Sequence, residues 1–435
     1  MRLAGWTSGL VWWGFDWGAV RRWAGWLRSN PWNLPRVMPA KGDIKSMSDT
    51  RSIGVGGDCP RVAIIGAGAI GLGIGWKLAR AGCPVTVFDR DEAGRAATWA
   101  SGGMLCAGVE IEPGEEALWQ LASLSQRLWP DFRYALQADS GLDIGYREEG
   151  TMVIALTRDD LEQIRFNYEF QRSVGVELEW LTGAEARRRE PYLNTGTAAA
   201  YYCKNDHQVD NRALATALKP ALLKAGGVLR ENTEVTGVEI TNGRATGVRT
   251  GDQVHAADVV VVAAGAWSRG LGGLPEEVRP PVRPIRGQLL YLRMNPAEPL
   301  VRHVVWAPKA YIIPRRDGRL LIGATTEERG FDLKPTAGGV FSLLEGVWRA
   351  FPGVEELVLE EIVVGFRPGS RDDAPILGPT SVEGLVMATG HHRNGILLTP
   401  VTVDAITKYV LKGKVSEAIR DYGLDRFRKP AGGQP

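Results

Sequence analysis

The chain is poor in the residues that build disulfide frameworks, metal centres and membrane spans. Its 435 residues include only four cysteines, Cys59, Cys83, Cys106 and Cys203. They lie far apart without CxxC spacing, which suits a reducing compartment and argues against a disulfide framework or a zinc site. The five histidines also lack metal-ligand spacing. His391 and His392 are adjacent, and neighbours in sequence point apart on a strand or helix, so no metal is expected. A formal charge of +2 with no dense Lys/Arg patch gives no reason to expect a nucleic-acid partner.

Residues 1–59 are a separate material, a Trp/Arg-rich extension. They hold seven of the fifteen tryptophans, with Arg21, Arg22 and Arg28 among them. The uncharged run Leu3 to Phe15 is shorter than the ~20 residues a membrane span needs, and no signal-peptide pattern is evident. Three readings stay open: an interfacial anchor making membrane-surface contact, a partner-docking arm, or a translated leader upstream of a start at Met38 or Met47. The last is favoured, because the globular pattern begins at Pro60.

What is present is a strong nucleotide signature. Residues 60 to 90 read PRVAIIGAGAIGLGIGWKLARAGCPVTVFDR. Val62 to Ile65 is an apolar run without alternation, as in a strand buried on both faces. It leads into Gly66-Ala67-Gly68-Ala69-Ile70-Gly71 at the spacing GxGxxG. A helical stretch follows, then a second buried run, Val85 to Phe88, ending in Asp89. Gly66 permits the tight turn, Gly68 the approach of a pyrophosphate, and Gly71 the close packing of helix on strand. The helix N-terminus offers N–H groups to phosphates, and Asp89 can accept hydrogen bonds from a ribose.

Further along, residues 116 to 138 carry helical periodicity. Thr151 to Leu156 reads as a strand, and TGAEARRREP as a short capped helix. Asn242-Gly243 and Asp317-Gly318 signal hairpins between alternating runs. Asp258 to Ala263 is another buried strand, while residues 286 to 335 read as an antiparallel meander. Thr399 is expected to cap the last long helix, with Pro400 in its first turn. Parallel, glycine-rich pieces alternate with antiparallel ones, so two domains are interleaved along the chain. No second GxGxxG follows a strand, which points to one bound dinucleotide.

The N-terminal fingerprint together with DVVVVAAGAWS, YIIPRRDGRLLIGATT, VGFRPGSRDDAPILGP and ATGHHRNGILLTPVT resembles the glycine oxidases of thiamine biosynthesis. These are members of the D-amino-acid oxidase and sarcosine oxidase group of FAD enzymes. The resemblance runs from about residue 60 to the end. It implies a noncovalent FAD bound by residues 66–71, Asp89, Val235 and the Ala264-Gly265 turn. It assigns Arg393 a catalytic place close to both flavin and substrate, and it gives Arg393, Asn394, Gly395 and Ile396 of the same turn to the cofactor. It further implies that Arg367 pairs with a substrate carboxylate, that Tyr311 hydrogen-bonds the same group, and that Met104 lines a small pocket.

Two positions depart from the family. Lys309 stands where glycine oxidases carry His, and Thr326 where they carry Met. The covalent-flavin cysteine of monomeric sarcosine oxidases falls near Gly365.

The expected fold is α/β: a Rossmann-like FAD-binding domain (60–138, 205–283 and 371–435) interleaved with an α+β substrate domain (139–204 and 284–370) built on an antiparallel sheet. The expected function is oxidation of glycine or another small amino acid to its imine, with hydride transfer to flavin N5. Oxygen is the expected acceptor, in a cytoplasmic homo-oligomer. Two rivals stay open: a D-amino-acid dehydrogenase passing electrons to a membrane quinone, and a non-catalytic flavoprotein scaffold or sensor.

Overall fold

The computed structural model describes residues 59–428. The expectations for the tryptophan-rich extension lie outside the described residues, except at Cys59.

A six-stranded sheet carries the glycine turn. Its order is Ile376–Pro379, Leu385–Thr389, Val259–Val262, Val62–Ile65, Val85–Phe88 and Val228–Arg230. All neighbours are parallel except the first pair, which is antiparallel. Val62–Ile65 is central and buried throughout, which explains its unbroken apolar run. Val62 and Ile64 face one core, shared with helices Ala69–Arg80, Glu116–Ser140, Asn211–Lys224 and Thr399–Lys412. Ala63 and Ile65 face the other, shared with Val238 and Val248 of a three-stranded sheet. Two of its strands, Gly237–Thr241 and Arg244–Thr250, are joined at Asn242-Gly243, both with positive φ, as a type I′ hairpin requires.

The second large sheet has eight strands, ordered Val358–Gly369, Arg283–Arg293, Arg319–Gly323, Ala310–Pro314, Val304–Ala307, Thr151–Ala155, Ala199–Cys203 and Glu179–Thr182. It is antiparallel but for one joint, Val304–Ala307 against Thr151–Ala155, which is parallel. That joint links segments about 150 residues apart, so no local pattern announces it. Leu290, Ile312, Leu320 and Ile322 point to one face and pack on Leu343 and Val347 of helix Ala337–Ala350. Alternation along each strand leaves the opposite face for a different purpose.

The structure differs from expectation in three further places. Helix Thr399–Lys412 begins at Thr399 with Leu398 at the cap position, and no side chain caps it. Thr399 Oγ1 instead donates to the Gly395 carbonyl at 2.8 Å, because the chain is already coiled through Asn394 when it arrives. Cys59 and Cys83 form a disulfide with their Cα atoms 4.9 Å apart. The strand–helix–strand turn returns the chain beside its own start, so a separation of 24 residues in sequence is no separation in space. Strand Ile376–Pro379 was hidden by its flanking Pro and Gly residues.

Candidate active site

The glycine turn is held by contacts that side chains would prevent. Gly66 has φ +103°, and a β-carbon at Gly71 would collide with the Gly66 carbonyl oxygen. Ala67 N–H donates to Asp89 Oδ2 at 2.7 Å, and Asp91 N–H to Asp89 Oδ1 at 3.0 Å. Burial pushes the Asp89 carboxyl up, and these two N–H groups partly offset it. Thr98 Oγ1 accepts from Ala69 N–H at 2.9 Å. The helix that starts at Ala69 has no acidic residue in its first turn, which leaves its positive end free for an anion.

A cavity of about 930 Å³ opens beside this turn and reaches the eight-stranded sheet. Gly66, Gly68, Ala69, Ile70 and Asp89 form one part of its wall. Val235, Ala264 and Gly265 form another, and residues 393–396 a third. Ala67 and Gly71 do not reach it: Ala67 is buried, and Gly71 lies beneath the turn.

The free face of the eight-stranded sheet supplies the rest. Strand register puts Arg367 beside Ile285, Gly323 beside Tyr311, and Tyr311 beside Trp306. Gly287 and Gly365 are paired on the same face. The glycines make room for the long side chains. A β-carbon at Gly287 would stand 2.6 Å from Arg367 Nη1, and one at Gly323 would run into the Tyr311 ring. Arg367 is fixed by an Nη1–H bond to the Thr325 carbonyl at 3.0 Å. Burial pushes the Tyr311 hydroxyl up while Arg367 pulls it down, so the phenol stays protonated and can donate. Met104, Trp306 and Tyr311 all line the cavity, and each packs against the core cluster of Tyr291, Val304, Ile313, Leu321 and Val363.

Arg393 has a different setting. Its Nη2 donates to both Glu115 carboxylate oxygens, at 2.7 and 2.6 Å, and its Nε lies 3.6 Å from Glu110 Oε2. Burial alone would lower its pKa, but the two carboxylates outweigh that and raise it. Glu110 lines the cavity and was not foreseen. It sits in a loop, VEIEPGEE, that reads as solvated acid, and only the fold folds it inward. Burial pushes its carboxyl up to about 7, against the pull of Arg393 and Arg367. His391 and His392 also line the cavity, both pushed down to about 3 by burial. His391 Nε2 is 3.0 Å from Thr402 Oγ1. Both rings are neutral at any ordinary pH. Of the two divergent positions, Thr326 is on the wall, and so is Lys309, whose Nζ lies 3.3 Å from Glu345.

Comparison with known proteins decides the family. The model of the family described as FAD dependent oxidoreductase matches residues 61–408. The chain belongs to this family of FAD dependent oxidoreductases. Within the family it is similar to the glycine oxidase of Geobacillus kaustophilus, 35% identical over 371 residues that span 84% of this chain and 96% of that one. The crystal structure of that enzyme superposes with a TM-score of 0.79 at 34% identity, covering 85% of this chain and 99% of it. The bifunctional protein ThiO/ThiG of Trichormus variabilis is 34% identical over 385 residues, and the chain spans 86% of itself but 56% of that longer protein. The iminodiacetate oxidase of Chelativorans sp. has a TM-score of 0.76 at 27% identity, covering 83% and 98%.

The described residues fit FAD. Gly66 and Gly68 line the cavity at the start of helix Ala69–Arg80 and present no side chain there. Gly365, near the position of a covalent cysteine in sarcosine oxidases, is a glycine whose β-carbon would collide with Ala100.

Proposed function

We propose that the protein oxidises glycine or another small primary or secondary amino acid with FAD and oxygen, and that the imine of glycine feeds thiazole formation in thiamine synthesis. Membership of the FAD dependent oxidoreductase family and similarity to glycine oxidases support this reading. The observation that carries it is the pairing of Arg367 and Tyr311 on one sheet face, both directed into the cavity that the glycine turn also lines.

When bound, FAD would supply a two-electron acceptor for the amine and oxygen would take those electrons on, which gives an imine and hydrogen peroxide. The chain's own residues hold the substrate. Arg367 grips the carboxylate in a charge-assisted fork, and Tyr311 donates to the same group. Such bonds contribute on the order of 1.5–3 kcal/mol each, enough to set one orientation of the reacting carbon. Met104 limits the size of the side chain that fits. Burial holds His391 and His392 neutral, so neither is proposed as a charged partner of the substrate. Residues 66–71, Asp89, Val235, Ala264, Gly265 and 393–396 hold the cofactor in this reading. The division into FAD-binding segments 60–138, 205–283 and 371–435 and substrate segments 139–204 and 284–370 is supported by the membership of the two large sheets.

The reading includes a cytoplasmic homo-oligomer. Among the described residues no helix is long and apolar enough to cross a membrane. Strand Val358–Gly369 lies at a sheet edge and exposes Val358, Leu359 and Ile362, the kind of edge that association covers. Oxygen consumption and peroxide release on adding glycine, with no other acceptor, test the assignment. Reduction that proceeds only with an added quinone would point to a dehydrogenase instead.

A further inference from the structure

Four cationic side chains line the cavity, Arg90, Lys309, Arg367 and Arg393, and the last two differ in how they are paired. Arg367 donates to the carbonyls of Arg286 and Thr325 and lies close enough to Tyr311 and Glu110 to lower both of their pKa values, but among the described residues it forms no ion pair with an acid. The Nε/Nη2 edge of Arg393 is taken up by two acids. Glu115 receives Nη2–H on both oxygens, Glu110 Oε2 stands 3.6 Å from Nε, and the Glu110 carbonyl accepts from Nη2 at 3.3 Å. The side chains are mostly buried, with 24% of Arg393, 11% of Glu110 and 21% of Glu115 exposed. At such depth water screens charge weakly, so the pairing matters more than a surface ion pair would. Glu115 is anchored as the cap residue of the long helix Glu116–Ser140, and Glu110 lies in the preceding loop, so the acids are held on one continuous segment.

We propose that Glu110 and Glu115 act as positioning residues that mask Arg393, so that the site accepts amines bearing one carboxylate and rejects those bearing a second. The inference rests on the amino-acid oxidase reading above and names its selectivity. A second carboxylate approaching the Nε/Nη2 edge of Arg393 would have to displace Glu115 from it and approach the like charge of Glu110. Rejection by an unpaired or repelled charge is a stronger filter than loss of a favourable contact. Removing the Glu110 charge leaves Arg393 with Glu115 alone and opens its Nε to a substrate.

The test uses the holoenzyme above neutral pH, where Glu110 is ionised. Turnover of glycine and of iminodiacetate is measured for wild type, E110Q, E115Q and the double variant E110Q/R393Q. The expected result is a rise of about tenfold in the iminodiacetate-to-glycine ratio of kcat/KM in E110Q or E115Q, a change equal to about 1.4 kcal/mol. The rise comes through KM for iminodiacetate, and it disappears in E110Q/R393Q. An unchanged ratio, or a gain that survives loss of Arg393, overturns the masking role. Should the variants not retain FAD, wild-type protein decides by flavin absorbance titration: acetate binds more tightly than malonate if Arg393 is masked, and malonate binding as tightly overturns the idea. The titration needs no turnover, so a wild type that ignores glycine would refute the oxidase reading while leaving this result readable.

Discussion

The guanidinium of Arg367 lies across Gly287, close enough that a β-carbon there would stand 2.6 Å from Nη1 and 3.0 Å from Cζ. The obstructing atoms belong to the far end of a flexible side chain, so Gly287→Ala moves the arginine and leaves the sheet intact. KM for glycine is expected to rise roughly tenfold with the flavin content unchanged, since loss of good fork geometry forfeits about 1.4 kcal/mol. Arg367→Ala goes further, raising KM about ten- to hundredfold for the same reason. Steady-state peroxide assays on both variants check this. Normal KM values in either would remove Arg367 from carboxylate binding.

Gly71→Ala meets a rigid obstacle. Its β-carbon would collide with the Gly66 carbonyl, which is backbone and cannot swing away. The turn must deform, and FAD should be lost or bound far more weakly. The ratio of absorbance at the flavin band to protein absorbance after gel filtration measures this. Full flavin occupancy in the variant would show that the turn is not what holds the phosphates.

Glu110 makes stability depend on pH in a stated direction. Its carboxyl is raised from 4.5 to about 7 in the folded protein. A group raised on folding contributes stability that is present below its unfolded pKa and is lost as pH rises through the folded one. Charged neighbours facing it are Arg393, Asp206, Arg367 and Glu115. Between about pH 4.5 and 7 the holoenzyme should therefore lose stability relative to Glu110→Gln, and the difference should level off above that window. Thermal melts of both proteins across the range provide the comparison; parallel curves would mean that Glu110 does not titrate there.

Val358→Lys puts a charge on an exposed position of the edge strand Val358–Gly369. If this edge is the subunit contact, light scattering coupled to gel filtration should give a smaller mass for the variant than for wild type. Equal masses would place the contact elsewhere.

Much of this architecture was legible in local sequence because local sequence causes it. Val62–Ile65 reads as a doubly buried strand and is one; Asn242-Gly243 forms the turn its positive φ values demand; Thr182 and Glu185 form the capping box that TGAEARRREP suggests. Tyr311 drew attention only through motif resemblance, and Arg367 through that resemblance and its place between a buried run and Pro-Gly; nothing in either strand says that Gly323 lies across from Tyr311 or that Gly287 leaves room for Arg367. Glu110 and Glu115 were missed for the opposite reason. Acids in a proline- and glycine-containing loop read as solvated, and the partner that draws them inward, Arg393, is 278 positions from Glu115. The Cys59–Cys83 pair and the parallel joint of the eight-stranded sheet were invisible on the same ground: each depends on where the chain returns, which no window of sequence records.

The proposed reaction is transfer of a hydride to FAD from a small amino acid held by Arg367. Anaerobic mixing of the purified holoenzyme with glycine, sarcosine and D-alanine, followed by air, tests it most directly. Bleaching of the flavin band by at least glycine, recovery of the colour on admitting oxygen with release of peroxide, and bleaching about ten- to hundredfold slower at subsaturating glycine in Arg367→Ala are the expected results. A flavin that stays oxidised with all three amines, or an Arg367→Ala variant that bleaches as readily as wild type, would contradict it.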